Sequence, residues 1–376
     1  MTRIFFFILT LFVQNCFAVD LPVTPPPQLN AKAWLLLDLQ SGQTLAEYDA
    51  DRRMEPASLT KLMTTYLTFA ALKQGRLKLT DIVPVSTKAW KTEGSRMFVE
   101  PNKPVTVNEL LHGMIIQSGN DATVALAEDI GGSEAGFVDM MNKEAQQLGM
   151  THTHFVTATG LPDPQHYTTA RDLSLVASAI FRDFPEYAPI FAIKEYRYNN
   201  ITQANRNRLL WSDPSVDGMK TGHTQSAGYC LIASAHRGDR RLLAIVLGTS
   251  SDYLRASETQ RLLNYGFQSF DGVRLYAANQ TVAQLKVWKG KYNTVKAGFI
   301  HPVYLSVPRG RSADLKTTLT TRQPLIAPLF RGQVVGTMTV SLDNRVLEQV
   351  PLQVLENVTV ASAIGRAWDS LMLKFK

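Results

Sequence analysis

The chain has 376 residues, 45% of them hydrophobic and 19% charged, with a formal net charge of +7. Those fractions are those of an ordinary globular protein and exclude a disordered or fibrous one, and the length accommodates one large domain and one smaller one. The charge is uneven: residues 274–376 carry 14 Lys and Arg against 5 Asp and Glu. A basic C-terminal part suits an anionic partner such as a membrane surface or an acidic polymer, while no nucleic-acid recognition module is visible.

Residues 1–18 read as a secretory signal peptide: Met1-Thr2-Arg3, an apolar run from Ile4 to Val13, and Ala18 before the expected cleavage point. The run is too short to span a bilayer as a helix. Cys16 would be a lipoprotein cysteine only if small residues preceded it, and Gln14 and Asn15 stand there instead. Removing the signal leaves Cys230 alone, so no intramolecular disulfide is expected, and its apolar run predicts core packing.

Residues 19–30 form a proline-rich linker containing Pro22, Pro25, Pro26 and Pro27. Residues 33–39 predict a buried strand, Ser41-Gly42 a turn, and 44–48 a returning strand. A helical region follows from Pro56 to about Phe181. Residues 229–235 and 242–247 predict a second hairpin around Arg237-Gly238-Asp239. Residues 253–270 then have helical periodicity, with Leu254, Leu262, Leu263 and Phe267 inward. Strands at both ends with helices between them predict an α+β domain over 31–272, built on an antiparallel sheet flanked by helices whose first and last strands are neighbours.

From 273 to 356 the texture changes to short alternating segments, 294–297, 303–307, 334–340 and 346–354, which predict a small C-terminal all-β domain. Residues 357–376 predict an amphipathic tail helix. Ala361, Ile364, Trp368, Leu371, Met372 and Phe375 fall on one face, with Arg366, Ser370, Lys374 and Lys376 away from it and Leu373 the exception. Such a helix can lie in a membrane interface or pack on its own β domain, and its terminal position favours the membrane.

Three short motifs carry the chemistry. Pro56-Ala57-Ser58-Leu59-Thr60-Lys61 opens an apolar helix and sets Ser58 and Lys61 one turn apart on one face, so the amine can reach the hydroxyl. A lysine activates a serine only when neutral, which burial and a neighbouring cation both favour. Alone, Ser-x-x-Lys is a common pattern with an ordinary reading as a helix N-terminus. Ser118-Gly119-Asn120 lies between two helical segments and can present a hydroxyl and an amide, though these are also turn formers. Lys220-Thr221-Gly222, on a strand edge, would offer an ammonium, a hydroxyl and an open backbone to a carboxylate; the plain alternative is a surface turn. All three occur once, in an order that matches a known serine-acylation set, with Gly119 a variant of its middle motif.

With these motifs and the longer strings 57–61, 117–121, 205–211, 217–224 and 307–311, the chain resembles the low-molecular-mass penicillin-binding proteins that act as serine D-alanyl-D-alanine carboxypeptidases, of the penicillin-binding protein 5/6 type. The resemblance implies the fold shared by penicillin-recognising serine transpeptidases and β-lactamases. It implies Ser58 as nucleophile, Lys61 as general base, and Ser118, held with Asn120, as proton relay to the departing D-alanine. It also implies a carboxylate site of Lys220, Thr221, Gly222 and Arg206, and an oxyanion hole from the backbone of Ser58 and His223. Lys220 is expected to depress Lys61. The implied partners are peptidoglycan stem peptides, β-lactam inhibitors and the membrane surface at the periplasmic face of the inner membrane. The segments 90–98 and 210–220 look shorter than in relatives, which leaves substrate preference open.

A β-lactamase would need a deacylating glutamate; in the nearest pattern, Glu195-Tyr196-Arg197-Tyr198-Asn199, tyrosine replaces leucine, and the alternating stretch 191–196 reads as strand, not loop. A non-catalytic wall-binding scaffold would have lost a catalytic residue, and none is lost; a transpeptidase on the same scaffold stays open. His152 and His154 lack a third ligand, so no metal is expected, and nothing in the chain calls for a cofactor.

Overall fold

The computed structural model describes residues 24–375, so the signal-peptide expectation for 1–18 lies outside the described residues. The first domain is built on a five-stranded antiparallel sheet. Its strands are β1 (Ala33–Asp38), β2 (Thr44–Tyr48), β5 (Val216–Thr224), β6 (Gly228–Arg237) and β7 (Arg240–Thr249), in the order β2-β1-β7-β6-β5. Between β2 and β5 lie six helices: α1 (Lys61–Lys73), α2 (Thr87–Lys91), α3 (Val107–Ile116), α4 (Asn120–Gly131), α5 (Glu134–Gln147) and α6 (Ala170–Asp183). A small hairpin, β3 (Glu195–Tyr198) and β4 (Ile201–Ala204), and a one-turn helix α7 (Leu209–Ser212) complete the insertion. Both expected hairpins are present, and β1 pairs β7 as the neighbouring first and last strands should.

Strand β1 is apolar throughout because both faces of the sheet are covered. Ala33 and Leu35 join the core beneath the inserted helices, whereas Trp34 and Leu36 face α8 (Asp252–Ser269). A strand buried on both sides reads as a continuous apolar run, and each fully buried Leu contributes about 1.5–3 kcal/mol. Helix α8 presses its Leu262 and Leu263 on the sheet, and Gly266 lets it come close to Leu36 and Leu242, where a Cβ would meet side-chain carbons at 2.6–2.7 Å. Leu254 and Phe267 are half-buried; Arg255 and Glu258 are buried in their place.

One sequence expectation needs correction. The alternating stretch at 191–196 is a short 3-10 turn, Ala188–Ala192, before β3 begins at Glu195, so only its end is strand. Lys220-Thr221-Gly222 lies, as the strand-edge reading expects and not as a surface turn, on a full strand, β5, at the edge of the sheet.

The second domain follows α8 without a break. Its strands are β8 (Phe270–Tyr276), β9 (Thr281–Trp288), β10 (Thr294–Gly298), β11 (Val303–Pro308), β12 (Lys316–Thr321), β13 (Leu325–Ile326), β14 (Val334–Leu342) and β15 (Arg345–Val354). Six of these make one sheet in the order β12-β14-β15-β10-β9-β13, and β11 pairs β8. The domains meet at a buried ion pair. Arg240 Nε donates to Asp38 Oδ2 at 2.7 Å, Ser306 Oγ of β11 donates to the same oxygen at 2.8 Å, and Arg240 Nη1 also reaches the Phe270 carbonyl at 2.5 Å.

The tail helix is shorter than expected: α9 covers Ala363–Met372 and a 3-10 turn ends it. Residues 357–362 instead run beside the β domain, where Val358 bridges Leu329 and is buried. No residue of α9 is buried, and Ile364, Trp368, Leu371 and Met372 are exposed. Its polar side is tied to the domain by Asp369, which accepts the Lys289 N–H at 2.5 Å.

Candidate active site

Ser58 sits in a 3-10 turn, Ala57–Thr60, that runs directly into α1. The turn brings Lys61 Nζ to 2.9 Å from Ser58 Oγ. Lys61 is fully buried, and its Nζ donates to Asn120 Oδ1 and to the Thr159 carbonyl, both at 2.8 Å. Those two oxygens accept only, so they take two N–H groups. In a neutral amine the third position is a lone pair, and it faces the Ser58 hydroxyl. Burial, then the Arg206 guanidinium, lower the Lys61 pKa to about 7, against an opposing pull from Asp121.

The other two motifs converge on the same place. Ser118 lies in the two-residue gap between α3 and the Gly119 N-cap of α4, with a positive φ of 65°. Lys220 Nζ, from β5, donates to Ser118 Oγ at 2.9 Å and to the Thr221 carbonyl at 3.1 Å. Lys220 is buried; burial first, then the charges of Lys61, Arg206 and Arg255, push its pKa well down. Lys61 and Lys220 repel each other beneath the cleft, and the Arg206 guanidinium bears on both amines. Ser118 is held by Lys220, while the Asn120 amide spans Lys61 and the Glu93 carbonyl, to which its Nδ2 donates at 2.6 Å.

The cleft above these groups has a volume of about 390 Å3 and is bordered by Ser58, Ser118, Asn120, Thr221, Gly222 and His223. Arg206 lines one end, its Nε donating to the Gln117 carbonyl at 3.4 Å. Lys61 and Lys220 lie beneath the floor. Every sequence-predicted site residue is therefore at or directly under one cleft. Gly222 is required by the packing: a Cβ there would stand 3.0 Å from the Pro56 carbonyl oxygen, which lets β5 lie against the serine turn.

Among the described residues no cluster of His, Cys, Asp and Glu could hold a metal ion. His152 and His154 sit in a turn region, each exposed or half-buried, with His154 Nδ1 2.8 Å from the Gln165 carbonyl. Cys230 is a buried free thiol whose pKa burial raises to about 11.

A sequence model described as D-alanyl-D-alanine carboxypeptidase matches residues 21–251, and one described as the penicillin-binding protein 5 C-terminal domain matches 270–360. The chain belongs to the D-alanyl-D-alanine carboxypeptidase family. It is 44% identical over 375 residues to the D-alanyl-D-alanine carboxypeptidase DacC of Escherichia coli K12, covering 98% of this chain and 94% of that protein. It is 41% identical to DacA of Haemophilus influenzae, covering 93% and 91%. Penicillin-binding protein 5 of Haemophilus influenzae superposes with a TM-score of 0.86 at 40% identity, over 89% of this chain and 99% of that one. The ampicillin-bound penicillin-binding protein D2 of Listeria monocytogenes superposes with a TM-score of 0.60 at 31% identity, over 65% and 100%.

In this carboxypeptidase fold, several cleft residues escape motif reading. Thr159 contributes only its carbonyl to Lys61. Gly160, with φ of 84°, lies so near the serine turn that a Cβ would stand 1.8 Å from the Ala57 oxygen. His166 is the buried support of that turn: its Nδ1 accepts the Val156 and Thr157 N–H groups at 3.2 and 3.3 Å, so Nε2 carries the proton and donates to Thr60 Oγ1 at 2.9 Å. Burial pulls its pKa down to about 4, which keeps that ring neutral. Asp121 Oδ1 and Oδ2 accept the N–H groups of Met97 and Phe98 at 2.9 and 2.8 Å, fastening the 93–99 segment to α4. Arg255, buried on α8, donates to the Gly222 carbonyl at 3.4 Å.

Gly160→Ala combines a left-handed backbone with a direct clash on Ala57. Calorimetry should show a loss of about 2 kcal/mol or more, and penicillin acylation of the folded fraction should fall with it. A variant as stable and as reactive as the parent would show that the 158–161 loop does not fix the serine turn.

Proposed function

We propose that this carboxypeptidase removes the terminal D-alanine from peptidoglycan stem peptides through an acyl-enzyme on Ser58, and that β-lactams acylate the same oxygen. The observation that carries the residue roles is the 2.9 Å approach of a buried, neutralised Lys61 amine to the Ser58 hydroxyl. Lys61 takes the Ser58 proton as Oγ attacks the carbonyl carbon of the penultimate D-alanine. The oxygen of that carbonyl becomes an oxyanion, received by the backbone N–H groups of Ser58 and His223. As the C–N bond breaks, Ser118, its oxygen held by Lys220, gives its proton to the departing nitrogen and receives in its place the proton that Lys61 took, so Lys61 returns to the neutral amine. The terminal carboxylate rests on Thr221 and Arg206, beside the open backbone of Gly222. Water then attacks the ester carbonyl with Lys61 again as base, releasing the shortened peptide and restoring the Ser58 hydroxyl.

The remaining reading concerns place. The chain is exported, and α9 rests in the outer surface of the inner membrane with Ile364, Trp368, Leu371 and Met372 in the lipid. What supports this is a helix with no buried residue, an apolar exposed face and a basic domain above it. No described helix is long and apolar enough to cross a membrane.

D-alanine release from a pentapeptide ending in D-Ala-D-Ala is expected for residues 19–376 and absent for Ser58→Ala. Because the neutral amine is the base, acylation should fall about tenfold per pH unit below the Lys61 pKa of about 7 and level off above it. A folded parent that neither releases D-alanine nor takes up penicillin would point to a wall-binding scaffold.

Truncation after Ala361 keeps Val358 in its bridge, so the shortened protein should remain folded and acylable. It should no longer sediment with vesicles containing anionic lipid, whereas the parent should. Equal sedimentation of the two would remove the tail from the account.

A further inference from the structure

The segment that leads into α9 is gripped from both sides by turns of the β domain. On one side Val358 accepts the Leu329 N–H at 3.0 Å and donates its own to the Leu329 carbonyl at 2.9 Å, and Asn357 Oδ1 accepts the Arg331 N–H at 2.7 Å. On the other, the Thr359 carbonyl accepts the Lys291 N–H and the Ala361 N–H donates to the Lys289 carbonyl, both at 2.8 Å. The turns 289–293 and 327–333 therefore flank the root of the tail helix. Each holds an aromatic ring out of the protein: Tyr292 is 60% exposed and Phe330 63%. Ile326 and Val360, beside these turns, are exposed as well.

A single exposed apolar side chain is ordinary, whereas a group of them continuous with another apolar face marks a contact surface. Here the continuity is with α9, whose exposed Ile364 follows Val360 by four residues. Cations accompany the rings. Lys289 and Lys291 stand in one turn and Arg331 in the other, and Lys286 Nζ lies 4.0 Å over the Trp288 ring. The two carboxylates of residues 356–375, Glu356 and Asp369, accept the backbone N–H groups of Lys296 and Lys289. Exposed rings among cations fit a surface with an apolar interior and anionic headgroups, where tyrosine keeps its hydroxyl wet while its ring is buried.

We propose that the turns carrying Tyr292 and Phe330 enter the same anionic lipid surface as α9, so that the β domain is itself a membrane-binding element. The inference rests on the membrane reading of α9 and adds two contacts to it. A ten-residue amphipathic helix binds lipid weakly and reversibly, and stable attachment takes a second signal. The two turns supply that signal, yet without α9 they are too small to hold the protein. Contact at both turns and along the helix also sets the tilt of the β domain on the surface, where a helix alone would be a tether.

Residues 19–376 contain one thiol, Cys230, which is buried and poorly ionised, so a cysteine introduced at the surface can be labelled selectively. The test places a nitrobenzoxadiazole label, one site at a time, through Tyr292→Cys, Phe330→Cys, Ile364→Cys and Tyr253→Cys. Tyr253 is 71% exposed at the start of α8, about 25 Å of helix away from β8. With vesicles of phosphatidylglycerol and phosphatidylcholine, emission at 292, 330 and 364 should rise and be quenched by nitroxide-bearing lipid, and emission at 253 should not change. In the unlabelled full-length protein, joint Tyr292→Ser and Phe330→Ser should weaken partition onto these vesicles about tenfold. Benzylpenicillin acylation should be the same in that variant as in the parent, which shows it folded. Silence at 292 or 330 while 364 responds would overturn the assignment and leave the tail in place. So would a response at 253 equal to theirs, or a double variant that partitions like the parent. Silence at 364 as well would strike the membrane reading of α9, and this inference with it.

Discussion

Two lysine amines with almost no exposed surface lie under the cleft, Lys61 against Ser58 and Lys220 against Ser118, and the rest of the cleft is arranged around keeping them there. Burying an ammonium without a counter-charge is costly, and the outcome is a lowered pKa, not a buried ion. Lys61 is held at about 7 by burial and by Arg206, with Asp121 pulling the other way. Its partners come from three separate elements: Asn120 from α4, the Thr159 carbonyl from the loop before α6, and Ser58 from the turn that begins α1. The amine can thus be uncharged and still fully hydrogen-bonded, which is what a base beside a hydroxyl requires.

The sheet supplies the rigidity that this arrangement needs. Its two faces are covered by separate cores, and β5 hangs on its open edge against the serine turn. That contact is possible because Gly222 and Gly160 offer no side chain where Pro56 and Ala57 expose their carbonyls. Neutral His166 braces the turn from below through Thr60. The second domain is joined to the same sheet at Asp38, through Arg240 and Ser306, so the β-rich part and the cleft share one frame.

Much of this was legible in the chain, for identifiable reasons. The hairpins at either end of the first domain show as apolar runs around glycine turns, and the three motifs are short strings whose side chains themselves do the work. Other parts leave no such mark. Strand β5 carries Asp217 as its second residue, a polar side chain paired with Arg241 at 2.5 Å, so its start does not read as a sheet strand. Strand β12, Lys-Thr-Thr-Leu-Thr-Thr, is almost wholly exposed and has no apolar alternation. Thr159 acts through a carbonyl that any residue carries. Arg255 takes an inward helical position where an apolar residue is expected, because there α8 faces the cleft wall and not the core.

The charge state of Lys61 is the point on which the chemistry turns, and it can be observed without substrate. Protein labelled with 13C at the lysine ε-carbon, with Lys61→Arg to assign the signal, can be titrated by NMR across pH 5.5 to 10. A midpoint near the lowered value of about 7 is predicted. A midpoint near the ordinary lysine value of about 10.4 would mean that the amine stays protonated beside Ser58 at neutral pH, and would contradict its role as the base.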